Sequence, residues 1–122
     1  MEGGQRQTPL FLKRSLDIQR IKKNGRRVST RLFNLQICSG TAGATMFGIV
    51  VGRRFGTAVR RNRAKRLFRE LGRSVQATLV PGCVFLVFPK RDCLTSPFAE
   101  LRNQWRSTLQ RQRLVHLGGP LP

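Results

Sequence analysis

A long stretch without any acidic residue limits what this chain can fold into more than any other feature. Between Asp17 and Glu70 there are fourteen Lys or Arg residues and not one Asp or Glu. Over the whole chain, 24 Lys and Arg stand against 5 Asp and Glu, a formal charge of +19. Because so many like charges repel one another, we expect this stretch to form a surface that contacts a polyanion, most simply a nucleic acid.

The length and the N-terminus favour one cytoplasmic domain. A chain of 122 residues is the usual size of one domain. No apolar run could cross a bilayer, and residues 1–6 lack the hydrophobic segment of a secretory signal, so neither a membrane partner nor export is expected. We predict a flexible N-terminus over residues 1–9, one domain that binds nucleic acid over residues 10–113 and a flexible tail over residues 114–122.

The first half of the chain predicts a short helix and two strands. Ser15 can cap a helix that ends near Asn24. Residues Val28 to Cys38 alternate, which predicts a strand with one apolar face and one wettable face. Turn residues 39–43 precede a second strand over Thr45 to Gly52, so the two strands are predicted to form a hairpin.

The second half predicts a long helix, a buried strand and a last helix. Thr57 can cap a helix over Ala58 to Leu79 with one apolar and one cationic side. The apolar stripe contains Ala64, Leu67, Phe68, Leu71 and Val75. The cationic side contains Asn62, Lys65, Arg66, Arg69 and Arg73. Cys83 to Phe88 is a continuous apolar run. A last helix from Thr95 or Ser96 carries Phe98, Leu101, Trp105 and Leu109. The order α-β-β-α-β-α predicts an α/β (α+β) two-layer sandwich.

The segment from Gly52 to Arg69 is the strongest candidate for a binding site. Its glycines lie where a strand ends and a helix begins, and free N–H groups at a helix N-terminus favour phosphate oxygens. Arginines add planar, bidentate donors to that surface. Asn62 could read a base edge or a sugar hydroxyl, or could brace a neighbouring arginine. A merely solvated basic face would be expected to contain interleaved acids, and this one has none.

A catalytic site within the protein is not expected. A nuclease needs a cluster of metal-binding carboxylates, or histidines for acid–base chemistry. The five acids are scattered singly, and His116 is the only histidine. The three cysteines, Cys38, Cys83 and Cys93, have no C-x-x-C spacing, so we expect reduced thiols, two of them in strands, and neither disulfide nor zinc.

Two segments resemble the bacterial ribonuclease P protein family. Residues 47–70 read FGIVVGRRFGTAVRRNRAKRLFRE and contain the core Arg61-Asn62-Arg63 of the family's hallmark segment. Residues 12–21, LKRSLDIQRI, are similar to the family's first helix, and Arg31-Leu32-Phe33 to its first strand. The resemblance extends more weakly to Trp105 and Arg113, so it covers about residues 10–113. Two separated motifs in register are far more specific than one.

The resemblance implies the protein subunit of a ribonucleoprotein whose RNA performs the catalysis. The partners would be the catalytic ribonuclease P RNA and precursor tRNA, whose 5′ leader lies in a cleft between the first helix and the sheet, and no small-molecule substrate is implied. Mg²⁺ would serve the holoenzyme and be held mainly by RNA. A ribosomal-protein-like fold with a left-handed βαβ crossover is also implied, against the usual right-handed rule.

The residues expected at the two RNA contacts follow from the matched positions. Contacts to the catalytic RNA are expected from Arg53, Arg54, Arg60, Arg61, Asn62, Arg63, Lys65, Arg66 and Arg69. Contacts to the leader are expected from Ile18, Lys22, Arg31, Asn34, Gln36 and Val87. The family often has aromatic residues at the positions of Ile18, Lys22 and Gln36. We therefore expect the cleft to rely less on stacking and more on hydrogen bonds and charge.

Other functions remain as alternatives. A non-catalytic ribosomal-type RNA-binding protein would share the basic α/β sandwich and would cosediment with ribosomal subunits. A major-groove DNA reader is less favoured, because a strand precedes the long helix where a helix-turn-helix protein has a helix. A self-contained nuclease would need metal-dependent cleavage by the protein without RNA.

Overall fold

A computed structural model describes residues 25–39 and 46–115 of the protein. The strands are β1 (Arg26–Ser29), β2 (Phe33–Ser39), β3 (Met46–Ile49) and β4 (Cys83–Pro89). The helices are α1 (Ala58–Val75), α2 (Asp92–Thr95) and α3 (Phe98–Arg111), with 3-10 turns at Arg53–Phe55 and Gln76–Thr78. The helices and the sheet form the predicted mixed α/β fold. The predicted first helix and most of the predicted turn at residues 39–43 lie outside the described residues.

The four strands form one sheet in the order β1-β2-β4-β3. β2 is antiparallel to both β1 and β4, whereas β3 is parallel to β4. The predicted hairpin between the second and third of these strands is therefore wrong, because β4 lies between them. β4 is apolar on both faces, and such a strand is favoured in the middle of a sheet, with a neighbour on each side. The β3-α1-β4 connection is the predicted parallel crossover, and its left-handedness stays a prediction.

The predicted strand from Val28 to Cys38 is two strands separated by a tight turn. Thr30 closes this turn, since its backbone N–H donates to the carbonyl of Phe33 at 2.9 Å. Its hydroxyl oxygen also accepts from the Phe33 N–H at 3.1 Å. A threonine that satisfies the backbone in this way competes with a continuous strand. The alternation of side chains was read correctly, but the turn within it was missed.

Both long helices differ at one end from their predicted bounds. α1 begins after Thr57 as predicted, and the Thr57 hydroxyl oxygen accepts from the Arg60 N–H at 3.3 Å. α1 ends at Val75 and continues only as the 3-10 turn, so the predicted end at Leu79 is wrong. The last helix begins at Phe98 after Pro97, and the separate short helix α2 precedes it. Phe98 is partly exposed and lies outside the core, whereas Leu101, Trp105 and Leu109 of the same helix are buried.

An aromatic cluster joins the sheet to the helices. Trp105 of α3 is fully buried, and the rings of Phe33, Phe47, Phe68 and Phe85 lie 5.5 to 6.4 Å from its ring. The indole N–H donates to the carbonyl oxygen of Leu71 in α1 at 3.1 Å. Edge-to-face and tilted rings at such distances add to the stabilisation gained from burial. The cluster therefore fixes α1 and α3 on the same face of the sheet.

A glycine allows α1 to approach β3 closely. A Cβ atom at Gly72 would lie 2.1 Å from the Phe47 ring, so no larger side chain fits without displacing that ring. The ring cannot easily move, because it stacks on Phe85 with 5.2 Å between the centroids. Gly72 and Phe47 thus set the position of α1, and with it the position of the cationic side of this helix.

The core continues past the predicted domain boundary at residue 113. Leu114 and Val115 are each 2% exposed and belong to the buried cluster. The Leu114 carbonyl accepts from the Val80 N–H at 2.9 Å, and Val115 bridges to Leu79. The segment after α3 is therefore tied to the segment after α1.

Candidate nucleic-acid interface

The glycine-flanked turn before α1 presents two arginines to solvent. Phe55 is only 8% exposed and anchors the turn, while Arg53 and Arg54 are exposed. Gly56 closes the turn with a φ of 150°, a conformation that favours glycine, and its N–H donates to the Arg53 carbonyl at 3.3 Å. Phe55 is buried between the two exposed arginines and Gly56. It thereby holds the guanidinium groups of Arg53 and Arg54 near the start of α1.

The nine residues predicted to bind catalytic RNA are contiguous in the structure. They lie on the turn and on α1, and no acid occurs in the first turn of that helix. Asn62, Arg66 and Arg69 are exposed on the side away from the buried stripe. At about 100° per residue, Arg61 and Arg63 lie on opposite flanks of the helix. We call this surface, from Arg53 to Arg69, the α1 surface.

Arg61 is held differently from the other arginines of the α1 surface. It is half-buried, and its Nε is buried with no hydrogen-bond partner. Buried guanidinium nitrogens ordinarily have a partner, and an unpaired one costs free energy. A phosphate or sugar oxygen that approached this flank of α1 could supply an acceptor to the same guanidinium group.

The second predicted site is a groove on the sheet face away from α1 and α3. Its volume is about 220 Å³. It is lined by Arg27, Val28, Ser29, Asn34, Leu35, Gln36 and Phe88. The Ser29 hydroxyl donates to the Asn34 Oδ1 at 2.9 Å, and the Gln36 Nε2 donates to the Gly25 carbonyl at 3.4 Å. We call this the sheet groove, and it combines amides and one arginine with the ring of Phe88.

This sheet face is less open to solvent than predicted. Gln36 is only 5% exposed, and Leu86, which is opposite Gln36 in the sheet, is completely buried. The prediction of a wettable face is therefore wrong at its centre. The prediction of a wettable face is correct at the edge of the sheet, where Asn34 is half-buried and Arg27 is exposed.

The four other residues predicted for the leader cleft are placed differently or fall outside the described residues. Val87 is completely buried and is opposite Leu35, so it faces the core and contacts no groove. Side chains alternate between the two faces along a strand, so its neighbour Phe88 faces the groove instead. Arg31 is exposed at the β1–β2 turn and forms an ion pair with Glu100, apart from the groove lining. Ile18 and Lys22 lie outside the described residues.

Two cations that sequence reasoning missed stand directly after β4. The Arg91 guanidinium donates to the Arg54 carbonyl at 2.6 Å, and the Lys90 ammonium group donates to the Thr30 carbonyl at 2.6 Å. Their signal in the sequence was a pair of cations immediately after a buried strand. Such a pair must emerge at the end of the sheet, which is where the turn before α1 also lies.

The described part of the chain contains no group of three or more metal-ligating side chains. Cys38 and Cys83 lie in strands, as predicted, and Cys93 lies in α2. Burial raises the pKa of the Cys93 thiol to about 11, so this group is protonated and unreactive at neutral pH. Among the described helices, none is both long and apolar enough to span a bilayer.

Comparison with known proteins identifies the family. The family model described as Ribonuclease P matches residues 7–113. The chain belongs to the ribonuclease P protein family. The ribonuclease P protein component of Symbiobacterium thermophilum is 34% identical over 109 residues, which cover 88% of this chain and 95% of that protein. The same component of Herpetosiphon aurantiacus is 32% identical, over 82% of this chain and 81% of that protein.

Solved structures of ribonuclease P proteins share the fold. The protein from Thermotoga maritima superposes with a TM-score of 0.73 at 28% identity, over 82% of this chain and 94% of that one. The protein from Staphylococcus aureus gives a TM-score of 0.77 at 24% identity, over 89% and 100% of the two chains. The family resemblance of the two sequence motifs and the mixed α/β fold are thereby confirmed.

Proposed function

We propose that this ribonuclease P protein binds the catalytic RNA and the 5′ leader of precursor tRNA, and so assists RNA-catalysed removal of the leader. The observation that carries the proposal is the α1 surface, an acid-free set of cations on a chain that belongs to this family. The reaction is endonucleolytic hydrolysis that leaves the mature tRNA 5′ end, and its catalytic groups belong to the RNA.

The α1 surface is assigned to the catalytic RNA. Arginines offer bidentate donors to phosphate oxygens, and each cation that neutralises a phosphate releases a counterion from the RNA. No acid lies in the sequence between Arg53 and Arg69, so the residues of this surface include no carboxylate that would compete with phosphate for its cations. The surface thereby reduces the repulsion between phosphates that a folded RNA must overcome.

The sheet groove is assigned to the leader. A mature tRNA has no leader, so each contact in the groove adds to the affinity for precursor and not to that for product. Asn34 and Gln36 bring amide groups, and Phe88 supplies an aromatic ring for stacking on an unpaired base. The groove therefore gives the reaction a preference for substrate over product.

Magnesium is assigned to the RNA. Mg²⁺ favours oxygen ligands in octahedral geometry and is commonly held in part by phosphates. The acids of the described residues are Glu70, Asp92 and Glu100, and Glu100 pairs with Arg31. The contribution of the protein is to supply positive charge that lowers the magnesium concentration needed by the RNA.

The test is cleavage of precursor tRNA at near-physiological magnesium by a bacterial ribonuclease P RNA, with and without the protein. We expect efficient cleavage at the mature 5′ end only in the mixture and none from the protein alone. Cleavage by the RNA-free protein would overturn the assignment of chemistry to RNA. Tight RNA binding without stimulation would favour the ribosomal-type alternative.

A further inference from the structure

The turn that follows α3 has the hydrogen bonds of a helix end that favours glycine. The Leu114 N–H donates to the Leu109 carbonyl at 2.9 Å. The Arg113 N–H donates to the Gln110 carbonyl at 3.0 Å. This pair of hydrogen bonds ends many helices, and glycine is then the usual residue at the place of Arg113. Leu109 and Leu114 are buried in the core, so this helix end is well formed although an arginine occupies its glycine position.

The backbone of Arg113 is in the left-handed conformation, with a φ of 59°. Among the described residues it is the one residue other than glycine with a positive φ. A side chain at such a position costs conformational free energy, and residues of this kind are concentrated at functional sites. The side chain is exposed, and its guanidinium group forms no hydrogen bond or ion pair with another described residue. No contact within the described part of the chain therefore offsets the cost.

Two more arginines lie at the same end of α3. Arg111 is exposed in the last turn of the helix. Arg26 of β1 is exposed too, and its guanidinium group donates to the Oε1 of Gln112 at 3.1 Å, which brings it to the turn. The acid of α3, Glu100, lies in the first turn, roughly 16 Å along the helix from Arg111. We call Arg26, Arg111 and Arg113 the α3 corner.

The α3 corner lies far from the glycine-flanked turn before α1. The segments after α1 and after α3 are tied together, since the Val80 N–H donates to the Leu114 carbonyl. The α3 corner is therefore near the last turn of α1, whereas Arg53 and Arg54 precede the first. Because α1 has 18 residues, its two ends are about 27 Å apart. Charges at that distance are screened from each other at physiological salt, where the Debye length is about 8 Å.

We propose that the α3 corner is a second contact for the catalytic RNA, in which Arg113 binds a phosphate at the end of the protein opposite the glycine-flanked turn. A guanidinium group offers bidentate donors to phosphate oxygens. α1 and α3 lie on the same face of the sheet, and the sheet groove opens on the other face. An RNA that lies along the helices can therefore contact both the α1 surface and the α3 corner, while the leader lies in the groove. This inference rests on the proposed function and extends it from one contact with the catalytic RNA to two.

The left-handed backbone allows stability and binding to be separated at one position. Arg113→Gly removes the cation and relieves the backbone, whereas Arg113→Ala removes the same cation and keeps the unfavourable conformation. We expect the thermal midpoint of Arg113→Gly to exceed that of Arg113→Ala by about 4 °C. Arg102→Ala removes an exposed cation from the first half of α3 and is the matched control.

The measurement is the affinity of the protein for a bacterial ribonuclease P RNA, without tRNA, over a salt series. We expect Arg113→Gly and Arg113→Ala to weaken binding equally, about fivefold each, and to lower the slope of log K against log salt by about 0.9. Arg102→Ala should leave both quantities nearly unchanged. The loss from Arg113→Ala should add to that from Arg61→Ala combined with Arg63→Ala, because the two sites are distant.

Four results would overturn the α3 corner. The first is wild-type affinity in both Arg113 variants, and the second is an equal loss in Arg102→Ala, which would reduce the effect to net charge. The third is a thermal midpoint of Arg113→Gly below that of the wild type, which would mean that the side chain holds the turn. The fourth is a loss confined to binding of mature tRNA by the assembled ribonucleoprotein. Failure of the proposed function is distinct, because the wild-type protein would then not stimulate cleavage of precursor tRNA.

Discussion

The α1 surface and the sheet groove bind RNA, in our account, by two different kinds of construction. The α1 surface is a set of consecutive residues on one turn and one helix, and its binding groups are charges. The sheet groove is assembled from three strands, and it holds its amides and the Phe88 ring in buried or partly buried positions. A surface of charges tolerates varied geometry, whereas a partly buried groove selects a strand by shape and hydrogen bonds.

Both surfaces depend on the aromatic cluster, so its loss should abolish both at once. We expect Trp105→Ala to lower the free energy of unfolding by about 3–5 kcal/mol, because it empties a fully buried site and removes the indole N–H that donates to the Leu71 carbonyl. Chemical denaturation followed by circular dichroism measures this loss. A loss below about 1 kcal/mol would mean that the cluster does not hold the helices on the sheet.

The α1 surface is tested by removing two of its charges. We expect Arg61→Ala combined with Arg63→Ala to weaken binding of catalytic RNA about tenfold or more, and to lower the slope of log K against log salt by about 0.9 per lost phosphate contact. Filter binding over a salt series measures both effects. An unchanged slope would exclude these arginines from phosphate contact.

The sheet groove is tested by a charge that leaves its hydrogen bond in place. Asn34→Asp keeps the oxygen that accepts from Ser29 and adds a negative charge facing the leader. We expect about fivefold weaker binding of precursor tRNA and little change for catalytic RNA or mature tRNA. Ser107→Asp, on the exposed side of α3, is the control. Equal losses of precursor and catalytic RNA would show that the two surfaces are not separate.

An effect that appears only at alkaline pH is expected from Cys93, the buried residue of α2. The pKa of this thiol is raised by burial from 9.0 to about 11, so the unfolded chain ionises first as the pH rises. The free energy of unfolding should therefore fall between pH 9 and 11, by at most about 2 kcal/mol from this group. Cys93→Ala should remove this part of the pH dependence. Identical pH profiles for the two proteins would contradict a buried, neutral thiol.

The sequence predicted the α1 surface well and the sheet groove poorly, for a physical reason. The helix that carries Arg60 to Arg69 is encoded by local periodicity, and its cap at Thr57 is a local signal. The groove depends on which strands are neighbours, and nothing local to β2 indicates that β4 separates it from β3. The placement of Phe88 in the groove and of Val87 in the core follows only from that pairing.

Long-range strand pairing also explains why the two cations after β4 could not be found from the sequence. Arg91 is far in sequence from Arg54, and only the end of β4 brings the two together. The predicted strand is two strands, because the Thr30 hydroxyl closes a turn between them. The alternation of apolar and polar residues does not indicate this turn. The residue pattern therefore does not determine two features. One is the pairing of strands that are distant in sequence, and the other is a turn closed by a side-chain hydrogen bond.

We propose that the protein adds affinity for precursor tRNA through leader contacts and not through the body of the tRNA. The measurement is the affinity of precursor and of mature tRNA for the catalytic RNA, with and without bound protein, at one fixed salt and magnesium concentration. We expect the protein to strengthen the binding of precursor and to leave mature tRNA nearly unchanged. Equal strengthening of both would contradict the account.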